Sequence, residues 1–140
     1  EDIEPILNLK SVVPALNQAQ MSVGSHDDDT IAFCKTHGIT YESYSPLRHV
    51  NLTNSDLVSI AERYNVSTAQ VCLRWIVQQE IVIATSPGVN ELYVEADLEL
   101  DTFSLSRYII ISGDILYIEN RAPVFRSANQ TEDIKVVITL

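Results

Sequence analysis

Positive charge is scarce in this chain. Nine lysines and arginines stand against nineteen aspartates and glutamates, giving a formal net charge of −10 and a pI near 4.5. Nucleic acid and anionic bilayers are held by dense basic surface, so neither is an expected partner. A small anionic ligand is not excluded, because such sites are local and often built from backbone N–H groups. Cysteine is almost absent as well. Cys34 and Cys72 stand in no metal-ligand spacing and form no disulfide framework. Buried free thiols are the expectation, and with an acidic opening unlike a secretory leader they suggest a reducing, cytoplasmic setting. No apolar run approaches the roughly 18 residues of a membrane span. No low-complexity tract or internal repeat stands out.

What is present reads as alternating helices and strands. The 140 residues are 46% hydrophobic and 20% charged, ordinary for one globular domain with a core. Ile3, Ile6 and Leu7 give a short helical face. Val12 to Gln18 reads as a short apolar strand ending in the polar pair Asn17-Gln18. Asp27-Asp28-Asp29 is a helix start, where carboxylates complement free N–H groups and the positive dipole end. A metal site there is set aside because no second ligand set is near. Gly38 is a plausible stop for that helix. Ile39 to Tyr44 forms the next strand and Ser45-Pro46 closes it. Asn54-Ser55-Asp56 caps a helix that Tyr64-Asn65 breaks, and Ser67 or Thr68 caps the next, whose Val71, Cys72, Trp75 and Ile76 keep helical spacing. Ile81 to Ala84 is a continuous apolar strand of the kind buried on both faces in parallel sheets. Thr85 to Gly88 is loop and Glu91 to Leu98 a last helix. Strands separated by helices require crossovers and a parallel sheet. The expected class is therefore α/β, with about three parallel strands and flanking helices. From about Arg107 the sequence turns β-branched and apolar. That tail, residues 107–140, reads as added strands, a docked arm, or sequence that does not fold.

Three motifs carry a family resemblance: Pro14-Ala-Leu-Asn-Gln18, Ile39 to Leu47 (ITYESYSPL) and Ser67 to Trp75 (STAQVCLRW). In this order and spacing, residues 1–106 resemble the C-terminal part of an aldo-keto reductase, a (β/α)₈ TIM-barrel enzyme that uses a nicotinamide cofactor. A whole barrel needs about 250 residues, so the resemblance implies a partial barrel here. It also implies cofactor contacts. Gln18 resembles the glutamine that hydrogen-bonds the nicotinamide carboxamide. Tyr44 resembles the tyrosine that stacks on the nicotinamide ring and holds one face fixed. Ser45 and Leu47 resemble the turn residues along the pyrophosphate, and Ser86 the serine that contacts the adenosine phosphate. Asp97 falls near a position where an asparagine commonly meets adenine.

The implied cofactor is NADPH or NADH, and the implied reaction of the full-length protein is reduction of aldehydes or ketones to alcohols. The 2′-phosphate clamp of NADP is poorly matched: Thr85 stands where the family commonly has lysine, and Tyr93 near where it has arginine. Arg48 replaces the usual glycine after Ser-Pro-Leu. The family's catalytic tyrosine, lysine, aspartate and histidine belong to the first half of the barrel. No residue of this sequence stands in those contexts, so none is named as catalytic. His49, beside the turn, reads as an exposed loop histidine. A different class remains open: a non-catalytic nucleotide- or protein-binding module of the same descent. Unpaired strand edges or the apolar tail would favour self-association.

Overall fold

Helix boundaries follow from side chains able to satisfy the first free backbone N–H groups. The computed structural model describes residues 3–9, 12–86, 88 and 90–105 in full, and residues 108–111, 116–119 and 136–138 as backbone. Helix α1 (Glu4–Asn8) is a short turn begun by Pro5. Strand β1 (Leu16–Gln20) follows. It starts later than the apolar run suggested, because Pro14 cannot donate to a ladder. Val12 and Val13 before it are 76% and 53% exposed. A tight turn closed between Ser22 and Ser25 then leads to α2 (Asp28–Thr36). The Asp27 carboxylate caps α2 by accepting from the backbone N–H of Thr30 at 3.1 Å, and the Thr30 hydroxyl, which donates to it at 2.7 Å, together with that N–H holds its pKa below the ordinary carboxylate value.

Gly38 takes a left-handed φ of 68° after α2, which lets the chain reverse into β2 (Thr40–Tyr44). Helix α3 (Ser55–Tyr64) is capped by the Asn54 side chain and ends where Asn65 adopts φ 54°. Helix α4 (Thr68–Val77) opens with a reciprocal capping box. Ser67 Oγ accepts from the Gln70 backbone N–H at 3.1 Å, and the Ser67 backbone N–H donates to Gln70 Oε1 at 2.9 Å. Strand β3 (Val82–Thr85) and helix α5 (Glu91–Leu98), capped by Asn90, complete the expected alternation.

Strands β1, β2 and β3 pair in parallel, with Gln18 opposite Glu42 and Tyr44 opposite Ala84. The three parallel strands with flanking helices are thus present. The tail adds strands, one of the three alternatives it left open. Strands β4 (Tyr108–Ile111) and β5 (Leu116–Glu119) form an antiparallel hairpin, and β6 (Val136–Ile138) pairs in parallel with β3. The sheet order is β1-β2-β3-β6. The remainder of the tail lies outside the described residues.

Period-two alternation divides the sheet. Tyr41, Ser43 and Ile83 turn one way and are buried with Leu57, Val71, Ile76 and Trp75 of the helices. Leu16, Gln18, Thr40 and Tyr44 turn the other way and are exposed. The core therefore sits on one face only. Cys34 and Cys72 are buried free thiols within it, and burial pushes the Cys72 thiol up to about 12. Among the described residues no helix is long and apolar enough to cross a membrane.

Candidate functional site

A turn after β2 shapes the site. Ser45 adopts a left-handed φ of 51°, Pro46 is buried, and the Arg48 N–H donates to the Ser45 carbonyl at 3.0 Å. Proline presets its own φ, while a serine in the left-handed region costs on the order of 1 kcal/mol. Glycine would take that conformation without strain but would bring no hydroxyl. The turn places that hydroxyl, the half-buried Leu47 and the exposed Arg48 beside the carboxyl end of β2.

An open cavity of about 450 Å³ lies at this end of the sheet. It is lined by Gln18 of β1, by Tyr44 and the turn Ser45–Arg48, and by Ala84, Thr85 and Ser86 at the end of β3. The carboxyl ends of parallel strands are where α/β folds bind ligands, because the crossovers leave loops free to diverge there. Gln18, Tyr44, Ser45, Leu47 and Ser86, which the resemblance assigned to cofactor contact, are all on this lining, although they are scattered from position 18 to position 86.

The chemistry of the lining is mixed. Tyr44 presents a partly open ring, 38% exposed. Gln18 offers an amide, with one donor arm given to Glu42. Ser45, Thr85 and Ser86 bring hydroxyls. Among the described residues Arg48 is the sole charged one on the lining, and no carboxylate there pairs with it. Lys35 differs, being matched to Glu80 at 3.3 Å. An aromatic face, an amide, hydroxyls and a free guanidinium suit a ligand with a flat ring at one end and phosphate at the other.

Other residues fall elsewhere. Asp97 is on α5, only 8% exposed and outside the cavity lining. Burial raises its carboxyl pKa. Tyr93 is 61% exposed on the same helix and also outside the lining. His49 is exposed, with φ 64°, and does not line the cavity. Tyr41 points to the packed face, where burial raises its phenol above the ordinary value. Among the described residues no lysine or histidine stands on the lining, and Tyr44 is its sole phenol. Sequence reading passed over Glu42, whose signal was a charged residue inside an otherwise uncharged strand. It is 7% exposed beneath Gln18.

Known proteins resemble this chain in sequence and in fold. Aldehyde reductase YPR1 of Saccharomyces cerevisiae is 36% identical over 105 residues, which is 73% of this chain and 33% of that protein. The Gox0644 protein, solved in complex with NADPH, superposes with a TM-score of 0.69 at 28% identity, over 74% of this chain and 38% of that one. An aldo/keto reductase from Brucella melitensis gives 0.67 at 31% identity, over 75% and 40%. The chain spans about a third of the length of the curated relatives it matches. Its α/β layers are accordingly part of a (β/α)₈ barrel rather than a complete one. The profile of the Aldo/keto reductase family matches residues 1–107, and the chain belongs to that family.

Proposed function

We propose that this chain forms the nicotinamide-binding part of an NAD(P)-dependent reductase of aldehydes and ketones. The observation that carries the proposal is convergence. Gln18, Tyr44, Ser45, Leu47 and Ser86, drawn from β1 and from the carboxyl ends of β2 and β3, line one cavity. Gln18 meets the carboxamide, and Tyr44 stacks on the nicotinamide so that one ring face is offered. Ser45 and the turn's N–H groups follow the diphosphate, with Arg48 supplying positive charge, and Ser86 meets the adenosine side. The NADPH held by the Gox0644 protein and the aldehyde reductase relative support that class of cofactor and substrate. The bound nicotinamide supplies hydride; the residues of this chain bind it and orient it.

Neither Thr85 nor the exposed Tyr93 brings a cation to a 2′-phosphate. NADH and NADPH are therefore expected to bind with similar affinity. Among its described residues the lining lacks the proton-donating group that the resemblance requires, so the chain by itself is expected to bind without turnover. The second reading is a non-catalytic nucleotide- or protein-binding module of the same descent. In either reading residues 1–106 form the barrel part and 107–140 a divergent tail whose β6 extends the sheet beside β3, with a cytoplasmic location suited to two free thiols. Self-association through the β1 edge or the tail belongs to the same proposal and is checked by sedimentation.

The test is titration with NADPH and NADH, followed by nicotinamide and Trp75 fluorescence. Saturable binding that Tyr44→Ala weakens supports the proposal. Absence of binding to folded protein overturns it.

A further inference from the structure

Glu42 is a buried carboxylate on the face of the sheet that is otherwise open. Its neighbours along the strand have evident uses. Ser43 donates its hydroxyl to the Met21 carbonyl at 2.8 Å on the packed side, and Tyr44 lines the cavity. Glu42 does not line the cavity, yet it is only 7% exposed. Its hydrogen-bond partner is Gln18, directly across the β1–β2 ladder, whose Nε2 donates to Glu42 Oε1. Burying a charged group is costly unless it is matched, so this pairing calls for a use.

An amide can turn by 180° and exchange its oxygen for its nitrogen with little change of shape. A carboxylate breaks that symmetry, because it accepts and has nothing to donate. With Glu42 below, the Gln18 nitrogen must face inward, and Oε1 is left as the acceptor at the cavity. We infer that Glu42 is a positioning residue: it locks the Gln18 amide so that the cavity selects a ligand whose ring substituent donates an N–H. This rests on the cavity being the nicotinamide site, where that substituent is a primary carboxamide. A pair that merely pinned β1 to β2 would stabilise the sheet and leave ligand choice unchanged.

The experiment compares NADH with its 3-acetylpyridine analogue, in which a methyl group replaces the carboxamide NH₂. One hydrogen bond is worth about a tenfold preference for NADH in the unaltered chain. Glu42→Gln keeps the shape but can donate as well as accept, so Gln18 is free to turn. In this variant the preference is expected to fall to about two- or threefold, with affinity for the acetyl analogue unchanged. Gln18→Leu is expected to remove the preference altogether. An undiminished preference in Glu42→Gln overturns the inference, whatever happens to the melting temperature. A second readout needs no ligand: NMR exchange of the Gln18 side-chain amide protons. One proton of the pair is expected to be protected, and to lose protection in Glu42→Gln. No protection in the unaltered chain also overturns the inference. Protection without any dinucleotide binding leaves the locked amide standing and sinks the nicotinamide reading alone.

Discussion

The two faces of the sheet are made by the same strands and serve different ends. On the helix side, Tyr41, Ser43 and Ile83 are each at most 5% exposed. On the other side, one residue away along the same strands, Tyr44 is 38% exposed and Gln18 opens onto the cavity. Strand alternation therefore separates cohesion from recognition at single-residue resolution. Side chains on the open face can be chosen for chemistry because they contribute little to the core. Glu42 is the exception that links the two, a buried group whose partner is on the lining.

This division can be broken most forcefully from the packed side. Ile83→Ala removes a fully buried side chain from β3 and is expected to cost about 3 kcal/mol in urea unfolding. Tyr44→Ala, opposite Ala84 in the same ladder, is expected to weaken dinucleotide binding about five- to tenfold, an effect near 1 kcal/mol, with little change in the urea midpoint. Were Tyr44→Ala to unfold the chain as Ile83→Ala does, the two faces would not be separate in function. Ser67→Ala breaks the capping box of α4. It is expected to cost about 1 kcal/mol while leaving binding unchanged, since α4 lies outside the cavity lining.

The smallest effect concerns Asp97. Its carboxyl pKa is raised by burial, so the folded state holds its proton more tightly than the unfolded state. Stability therefore falls as pH rises from the ordinary carboxylate value through the raised one. Asp97→Asn is expected to raise the melting temperature at pH 7. That gain should shrink as the pH is lowered toward the ordinary carboxylate range. A gain that stays constant with pH would locate the cause in packing rather than in charge.

Much of this was legible from local pattern. The caps at Asp27, Asn54 and Ser67 and the stops at Gly38 and Asn65 are short-range hydrogen-bond and φ requirements that residue type expresses directly. The Ser45-Pro46 turn is of the same kind. Strand ends were less legible: β1 begins at Leu16 rather than Val12, because Pro14 interrupts pairing. The tail was least legible. The pairing of β6 with β3 joins residues more than fifty positions apart, and β-branched composition names no partner. Asp97 was placed by alignment near an adenine contact, but the packing of α5 keeps it off the lining.

Residue order alone determined the helix–strand alternation, the parallel sheet it demands, and the family, because these depend on periodicity, caps and motif spacing along the chain. Tertiary structure alone decided that five scattered residues share one cavity, that Arg48 is the single charge among its described lining residues, and that Gln18 donates to Glu42. Those facts depend on strand register and on which side chains lose water together. Both are set by contacts between segments distant in sequence, which no local pattern encodes.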